Sequence, residues 1–326
     1  MSNVVLSDEG ILGIHHITIL ASDPQRNLDF YVKALGLRLV KRTVNFDVPD
    51  VYHLYYGDDI GRPGTILTFS PFPDPARGKR GAGEVAAVAF SVPRGGTDFW
   101  VERLSRHGIH FEGPSRRFEE EMITFRDPDG LQIEFVFVDG DGRAAAWNES
   151  PVPPEFAAWR FHGATLWLDR IERTAALLTG TMGFRLSGER EDRVRYVIGK
   201  NDDRAAVDIL VNANLPYART SAGSVHHIAW RTPDDLSQLA WQQKIAEAGL
   251  NVTEIIDRRY FRSIYYREPG GILFEIATDP PGFTRDEPKE SLGSKLMLPP
   301  WLESDRGRIE QVLPPISVPS PMVSLK

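Results

Sequence analysis

Hydrophobic positions along the chain switch between two periods, and the switch recurs four times in the same order. A short alternating stretch comes first: Gly13-Ile14-His15-His16-Ile17-Thr18-Ile19, Val85-Ala86-Ala87-Val88-Ala89-Phe90, Phe161-His162-Gly163-Ala164-Thr165-Leu166 and Val225-His226-His227-Ile228-Ala229-Trp230. Period two predicts a strand at each. Helical spacing follows, over Pro24 to Leu35, Thr97 to Arg106, Ile171 to Met182 and Asp234 to Ala248, with apolar residues three or four apart, as in Leu28, Tyr31 and Leu35. Each pattern stops at a glycine suited to a left-handed cap: Gly36, Gly108, Gly183 and Gly249. Three extended segments then complete each unit, so the chain is predicted to be a βαβββ repeat written four times, an α+β fold.

The closing strands match as well. Gly130-Leu131-Gln132-Ile133-Glu134-Phe135 in unit two mirrors Gly271-Ile272-Leu273-Phe274-Glu275-Ile276 in unit four, each after a charged turn, Arg126-Asp127-Pro128-Asp129 or Arg267-Glu268-Pro269-Gly270. The polar stretch Asp139-Gly140-Asp141-Gly142, followed by Pro151, Pro153 and Pro154, reads as a linker. The predicted organisation is two tandem halves, residues 11–140 (units one and two) and 159–282 (units three and four), joined by 141–158. A Pro-rich, charged tail, 283–326, is expected to wrap the surface or a subunit contact.

Composition narrows the chemistry. The 326 residues are 41% hydrophobic, enough for a large core, and no apolar run reaches membrane-span length. The polar, acidic start has neither the basic nor the apolar part of a signal peptide, and a cytoplasmic protein is expected. A formal charge of -7 with interspersed signs argues against nucleic-acid binding. There is no cysteine, so disulfides, thiolate metal sites and a thiol nucleophile are excluded. A metal would need histidine and carboxylate. Of the eight histidines, two adjacent pairs, His15-His16 and His226-His227, stand at matching places in units one and four.

The repeat resembles the vicinal oxygen chelate superfamily, which includes glyoxalase I, bleomycin-resistance proteins and extradiol dioxygenases. The resemblance runs to about Phe283. It implies paired units whose sheets curl around a cleft, with metal ligands on the first and last strands. Strand period then chooses among the candidates. The bulkier sets, His15 with Ile17 and Ile19, and His226 with Ile228 and Trp230, are expected under the helices. His16 and His227 then face the cleft. On the last strand the same argument separates Ile272, Phe274 and Ile276 from Glu275. The expected ligands are His16, His227 and Glu275, a 2-His-1-carboxylate set with open positions. Units two and three carry Ala87 and Gly163 where the ligand histidines would stand and keep only Glu134, so one site per chain is expected. Glyoxalase-like members use a fourth protein ligand, and alignment of Gly64-Thr65-Ile66-Leu67-Thr68 with Gly271 to Glu275 puts Thr68 there. A neutral hydroxyl leaves the position open. His53, His107, His110 and His162 are assigned to surface or structural roles.

The stretch from Asp257 to Phe283, together with Gly13 to Thr18 and the tail from Asp286-Glu287 through Leu292-Gly293, is similar to the hydroquinone-type ring-cleaving dioxygenases. That resemblance implies Fe(II), with Mn(II) also suited to the ligands, an aromatic diol and O2 as substrates, and no organic cofactor. It further implies roles for His15 and His226 in orienting ligands or substrate, for Arg258 or its neighbour Arg259 in holding an anionic oxygen, and for Tyr265 in hydrogen-bonding a substrate oxygen. His226 or Tyr265 would move protons. The simpler alternatives are a surface charge for the arginines and a packed core ring for Tyr265. Two rival functions are a glyoxalase-like isomerase or lyase, against which Thr68 argues, and a metal-free binding protein, against which the complete ligand set argues. Ring substituents and self-association are left open.

Overall fold

In a computed structural model, residues 10–73, 78–140, 146–200 and 204–318 are described; residues 1–9, the Asp141-Gly142 part of the linker and the tail beyond 318 lie outside them. Unit one is β1 (Ile14–Ala21), α1 (Pro24–Leu28), β2 (Arg38–Val44), β3 (Tyr52–Gly57) and β4 (Ile66–Pro71). Unit two is β5 (Glu84–Pro93), α2 (Thr97–Arg106), β6 (Phe111–Arg117), β7 (Glu120–Arg126) and β8 (Gln132–Val138). Unit three is β9 (Arg160–Leu168), α3 (Glu172–Ala176), β10 (Arg185–Arg190), β11 (Arg193–Ile198) and β12 (Ala205–Val211). Unit four is β13 (Val225–Thr232), α4 (Asp235–Glu247), β14 (Ile256–Asp257), β15 (Arg262–Arg267) and β16 (Leu273–Thr278), and the tail carries α5 (Arg306–Val312).

Side chains cap the starts of α1 and α4. Asp23 accepts from the Arg26 N–H at 2.7 Å with Pro24 in the first turn, and Asp234 accepts from the Ser237 N–H at 2.8 Å. α1 and α3 do not continue as α-helix over the whole amphipathic stretch; each widens into a π turn, Asp29–Ala34 and Leu177–Thr181. Gly36 ends the first helix at φ +76°, and its carbonyl accepts from the Trp147 indole and the Ser150 hydroxyl, both at 2.9 Å. The segment between the halves is therefore fastened to unit one where it is described.

Hydrogen bonding joins units that are distant in sequence. One eight-stranded sheet has the order β14-β15-β16-β13-β1-β4-β3-β2, so units one and four share it; the other, β10-β11-β12-β9-β5-β8-β7-β6, is shared by units two and three. Within each unit the first strand pairs parallel with the last, and the two first strands meet antiparallel at the middle of the sheet. Ile17 and Ile19 of β1 are fully buried with Leu28 and Tyr31, and Ile228 and Trp230 of β13 with Trp241 and Ile245. The tail runs back over the first sheet. Lys41, fully buried, holds Asp286 at 2.7 Å and Glu287 at 2.5 Å, and Arg42 bridges to Leu296. No helix among the described residues is long and apolar enough to cross a membrane.

The charged turns are buried fasteners. Asp127 accepts from the N–H groups of Asp129 and Leu131 at 3.0 and 2.8 Å and from the Tyr31 hydroxyl of unit one at 3.1 Å. Glu268 accepts from Gly270 and Ile272 at 2.8 and 2.9 Å and from the Thr174 hydroxyl of unit three at 2.6 Å. Sheets thus join units one with four and two with three, while turn carboxylates join one with two and three with four. Burial pushes the Asp127 carboxyl from 3.8 up to about 6. Its folded pKa is raised, so its contribution is complete below the unfolded value and is lost as pH climbs through the folded one, a gap worth roughly 3 kcal/mol. We expect Asp127→Asn, which keeps an acceptor for the two N–H groups, to gain stability relative to wild type between pH 4 and pH 7, measured by urea denaturation of both.

Candidate metal centre and ring-cleavage site

Three strands side by side at the middle of the first sheet, β16, β13 and β1, each supply one donor to a common point. His16 Nε2 lies 3.2 Å from His227 Nε2 and 3.3 Å from Glu275 Oε2, and His227 Nε2 lies 2.9 Å from that same oxygen. Metal–ligand bonds of about 2.1 Å at right angles would put neighbouring ligand atoms about 3.0 Å apart, so the triangle fits three cis positions around one ion. Glu275 is fully buried, and its Oε2 has no hydrogen-bond partner. Burial alone would raise its pKa, but His16 and His227 hold it well below the usual carboxylate range, so the buried carboxylate is ionised. A buried charge calls for a partner, and a divalent cation among two imidazoles and this carboxylate would supply it.

Neighbouring histidines on a regular strand point to opposite faces, yet here they touch. The β1–β13 ladder slips twice, between Ile14 and His16 and between Thr18 and Ile19, and the extra residues are His15 and His226. These bulges re-aim both side chains. His15 Nδ1 lies 2.9 Å from His16 Nδ1, and its Nε2 lies 3.1 Å from the Thr278 carbonyl. A carbonyl can only accept, so Nε2 of His15 carries a hydrogen. Burial lowers the His15 pKa well below 6.5, the ring is neutral, and its Nδ1 must accept from Nδ1–H of His16. That leaves the lone pair of His16 on Nε2, toward the site. His226 and His227 repeat the Nδ1–Nδ1 contact at 2.7 Å.

The face argument fails for His226: its bulge turns it away from Ile228 and Trp230 and into the wall of the cavity. That cavity, about 270 Å³, lies in front of the ligands and is also lined by Thr18, His53, Tyr55, Phe261 and Tyr265. Arg258 is in the wall, its Nε donating to the Tyr265 hydroxyl at 3.1 Å; Arg259, at φ +71°, turns to Asp286 of the tail at 3.6 Å. The choice between the two arginines thus falls to Arg258. His15 does not line the cavity; it packs on Phe261, with ring centroids 5.0 Å apart. Trp230 is core.

His53, expected in a surface or structural role, lines the cavity. Its Nε2 lies 2.7 Å from the Thr68 hydroxyl and its Nδ1 lies 3.1 Å from the Tyr55 hydroxyl, in the cavity wall. Thr68 also meets Thr18 at 3.0 Å, so its hydroxyl is engaged away from the three ligands. Sequence reasoning missed Ser263 too. Its hydroxyl donates to Glu275 Oε1 at 2.5 Å and leaves Oε2 for the site. Its signal was present: Ser263 and Tyr265 precede the Glu275 strand on the same face, as His53 and Tyr55 precede Thr68.

The second sheet has the same frame filled differently. Its central ladder slips at Ala86, the place of His226, and at His162, the place of His15. Glu134, at the place of Glu275, is clasped by Arg117 at 2.7 and 2.9 Å. Asp208, at the place of Thr68, is held by Arg195 at 2.6 and 3.0 Å and by Arg193 at 2.9 Å. Phe118 caps Arg195 at 4.5 Å. The remaining space, about 10 Å³, hardly admits one water.

Residues 13–135 and 160–276 match the model of the Glyoxalase/Bleomycin resistance protein/Dioxygenase superfamily. The chain belongs to this superfamily. It is 47% identical over 312 residues to "Putative ring-cleaving dioxygenase MhqO" of Bacillus subtilis, covering 94% of this chain and 97% of that one. It is 36% identical over 303 residues to "Chlorohydroquinone/hydroquinone 1,2-dioxygenase" of Sphingobium indicum, covering 90% and 94%. A crystal structure of a "putative dioxygenase" from Bacillus subtilis superposes with a TM-score of 0.91 at 45% identity, covering 96% of this chain and 99% of that one. Glyoxalase I of Zea mays, at 13% identity and a TM-score of 0.61 over 82% of this chain and 92% of its own, shares the fold. The protein is an enzyme of the ring-cleaving dioxygenase type.

Ser263→Ala should free Glu275 to rotate and weaken metal binding by about tenfold or more, with the fold intact. Titration of the metal-free protein with Fe(II) or Mn(II) under argon, beside thermal unfolding, measures both.

Proposed function

We propose that the protein is an Fe(II)-dependent dioxygenase of the extradiol type that opens the ring of hydroquinones beside one hydroxyl. The observation that carries this is the trio His16, His227 and Glu275 at cis spacing, with Thr68, at the place of a fourth ligand, tied instead to Thr18 and His53. Mn(II) also suits this N/O set. When bound, such an ion supplies Lewis acidity toward a ring oxygen and a redox partner for dioxygen. The relative that acts on chlorohydroquinone and hydroquinone supports the choice of substrate class.

The chain's own groups then stabilise anionic oxygen at the open face. Arg258 donates to the Tyr265 oxygen, so the Tyr265 proton is left to point at a substrate oxygen. Burial, with the charge of Glu275 added, raises the Tyr265 pKa, and the phenol stays a donor. With Nε2 of His227 committed as a ligand, its Nδ1–H donates to Nδ1 of His226, and the remaining donor of that pair is Nε2–H of His226. Tyr265 and His226 are thus placed to give hydrogen bonds, and to move protons, as negative charge builds on the reacting oxygens. Phe261 packs on His16 with the rings tilted and their centroids 4.7 Å apart.

Loading the protein with Fe(II) under argon and then admitting oxygen should give uptake of one O2 per hydroquinone consumed, with an acyclic product. Glu275→Ala and His227→Ala should lose both metal and uptake. Tyr265→Phe should keep the metal and lower kcat. Formation of lactoylglutathione without oxygen uptake would establish an isomerase instead.

A further inference from the structure

Arg258 and Arg117 stand at the same place in matching hairpins, each seven residues before the residue paired with its strand's glutamate (Tyr265 opposite Glu275, Thr124 opposite Glu134). Arg117 is neutralised bidentately by that buried glutamate. Glu275 faces the two ligand histidines, so the same partner is not open to Arg258. Its counter-charge comes from another unit. Asp47, in the β2–β3 loop of unit one, lies 3.0 Å from the Arg258 guanidinium, and both side chains line the cavity. The Asp47 side chain is 72% exposed and that of Arg258 21%, which puts the carboxylate at the rim and the guanidinium inside.

The loop holding Asp47 is fixed in place. The Asn45 side chain accepts from the Asp47 and Val48 N–H groups at 2.9 and 3.1 Å, an Asx turn. Phe46 packs on Trp301 of the tail with ring centroids 5.7 Å apart, and Asp50 pairs with Arg308 of α5 at 2.6 Å. The cavity side of the loop also carries Asn45 and Phe46. Asp47 and Arg258 are the charged side chains among the described lining residues.

We propose that Asp47 is a specificity-determining residue: by neutralising Arg258 at the rim it makes the cavity select ring diols with uncharged substituents over ring diols that carry a carboxylate. The proposal rests on the ring-diol reading above. A diol bound as its monoanion to a divalent ion, with Glu275, Arg258 and Asp47 around it, leaves the cavity with no net charge. A carboxylate on the ring adds one uncompensated negative charge beside Asp47, and like charges brought together in a partly desolvated site are costly. Removal of Asp47 frees Arg258 to pair with the ring carboxylate in a charge-assisted hydrogen bond.

Hydroquinone and 2,5-dihydroxybenzoate are the probes. The metal-loaded wild type, Asp47→Asn, Asp47→Ser and Asp47→Glu are compared by kcat/KM in air and by calorimetric affinity under argon. The expected result is that Asn and Ser each shift the preference toward the carboxylated diol by about tenfold or more in both measurements, while Glu keeps the wild-type ratio. An unchanged ratio in Asn and Ser overturns the proposal, and so does an equal shift in Glu. If the wild type consumes oxygen with neither diol, the ring-cleavage reading fails, and the anaerobic affinity ratio still decides the role of Asp47.

Discussion

A carboxylate with no hydrogen-bond partner for one of its oxygens sits fully buried between two imidazoles at the centre of the first sheet. This arrangement organises the rest of the active half of the molecule. It requires β1 and β13, whose ligand histidines are 211 residues apart, to lie side by side, with β16 next to them. Antiparallel pairing of the first strands of units one and four meets that requirement, and parallel pairing of each unit's first and last strands brings Glu275 alongside. Ser263 holds the far oxygen of the carboxylate, so the near oxygen, His16 and His227 stay aimed at one point.

The two bulges turn a His-His dipeptide into a ligand and its own support. On an unbroken strand His15 and His226 would be buried under helices, one residue out of phase with the ligands. With the extra residue in each strand, each imidazole meets the one beside it, and a chain from the Thr278 carbonyl through His15 fixes which nitrogen of His16 is free. The bulges persist at Ala86 and His162 in the second sheet, where no such ligand pair exists. They belong to the fold, and the histidines of units one and four exploit them.

Two sheets of one design therefore solve the buried-carboxylate problem in different ways. In the second, arginines close on Glu134 and Asp208 and fill the cleft, and the ion pairs satisfy themselves without a ligand. In the first, Thr68 replaces an acid, His53 and Tyr55 replace the two arginines, and the arginine that remains, Arg258, pairs with Asp47 of another unit instead of with the glutamate of its own. Fewer fixed cations leave an open cavity of about 270 Å³.

The sequence by itself determined the four-unit α+β repeat and the glycines that stop its helices, because strand and helix periods are local and recur where the chain repeats, and strand period with the family resemblance pointed to the three candidate ligands. It also marked the outer pair of units as the pair holding a complete donor set. Tertiary structure alone decided what depends on contacts between distant segments. The bulges that redirect His226 are a mismatch between two strands and leave no trace in either one's period. His53 reads as an isolated histidine until β3 and β4 pair and bring it against Thr68. Arg258 and Arg259 are neighbours in sequence, and only the hairpin's positive φ at Arg259 sends one into the cavity and the other toward the tail. Asp47 meets Arg258 because a loop of unit one and a hairpin of unit four share one rim, a proximity created by the sheet that joins the two ends of the repeat.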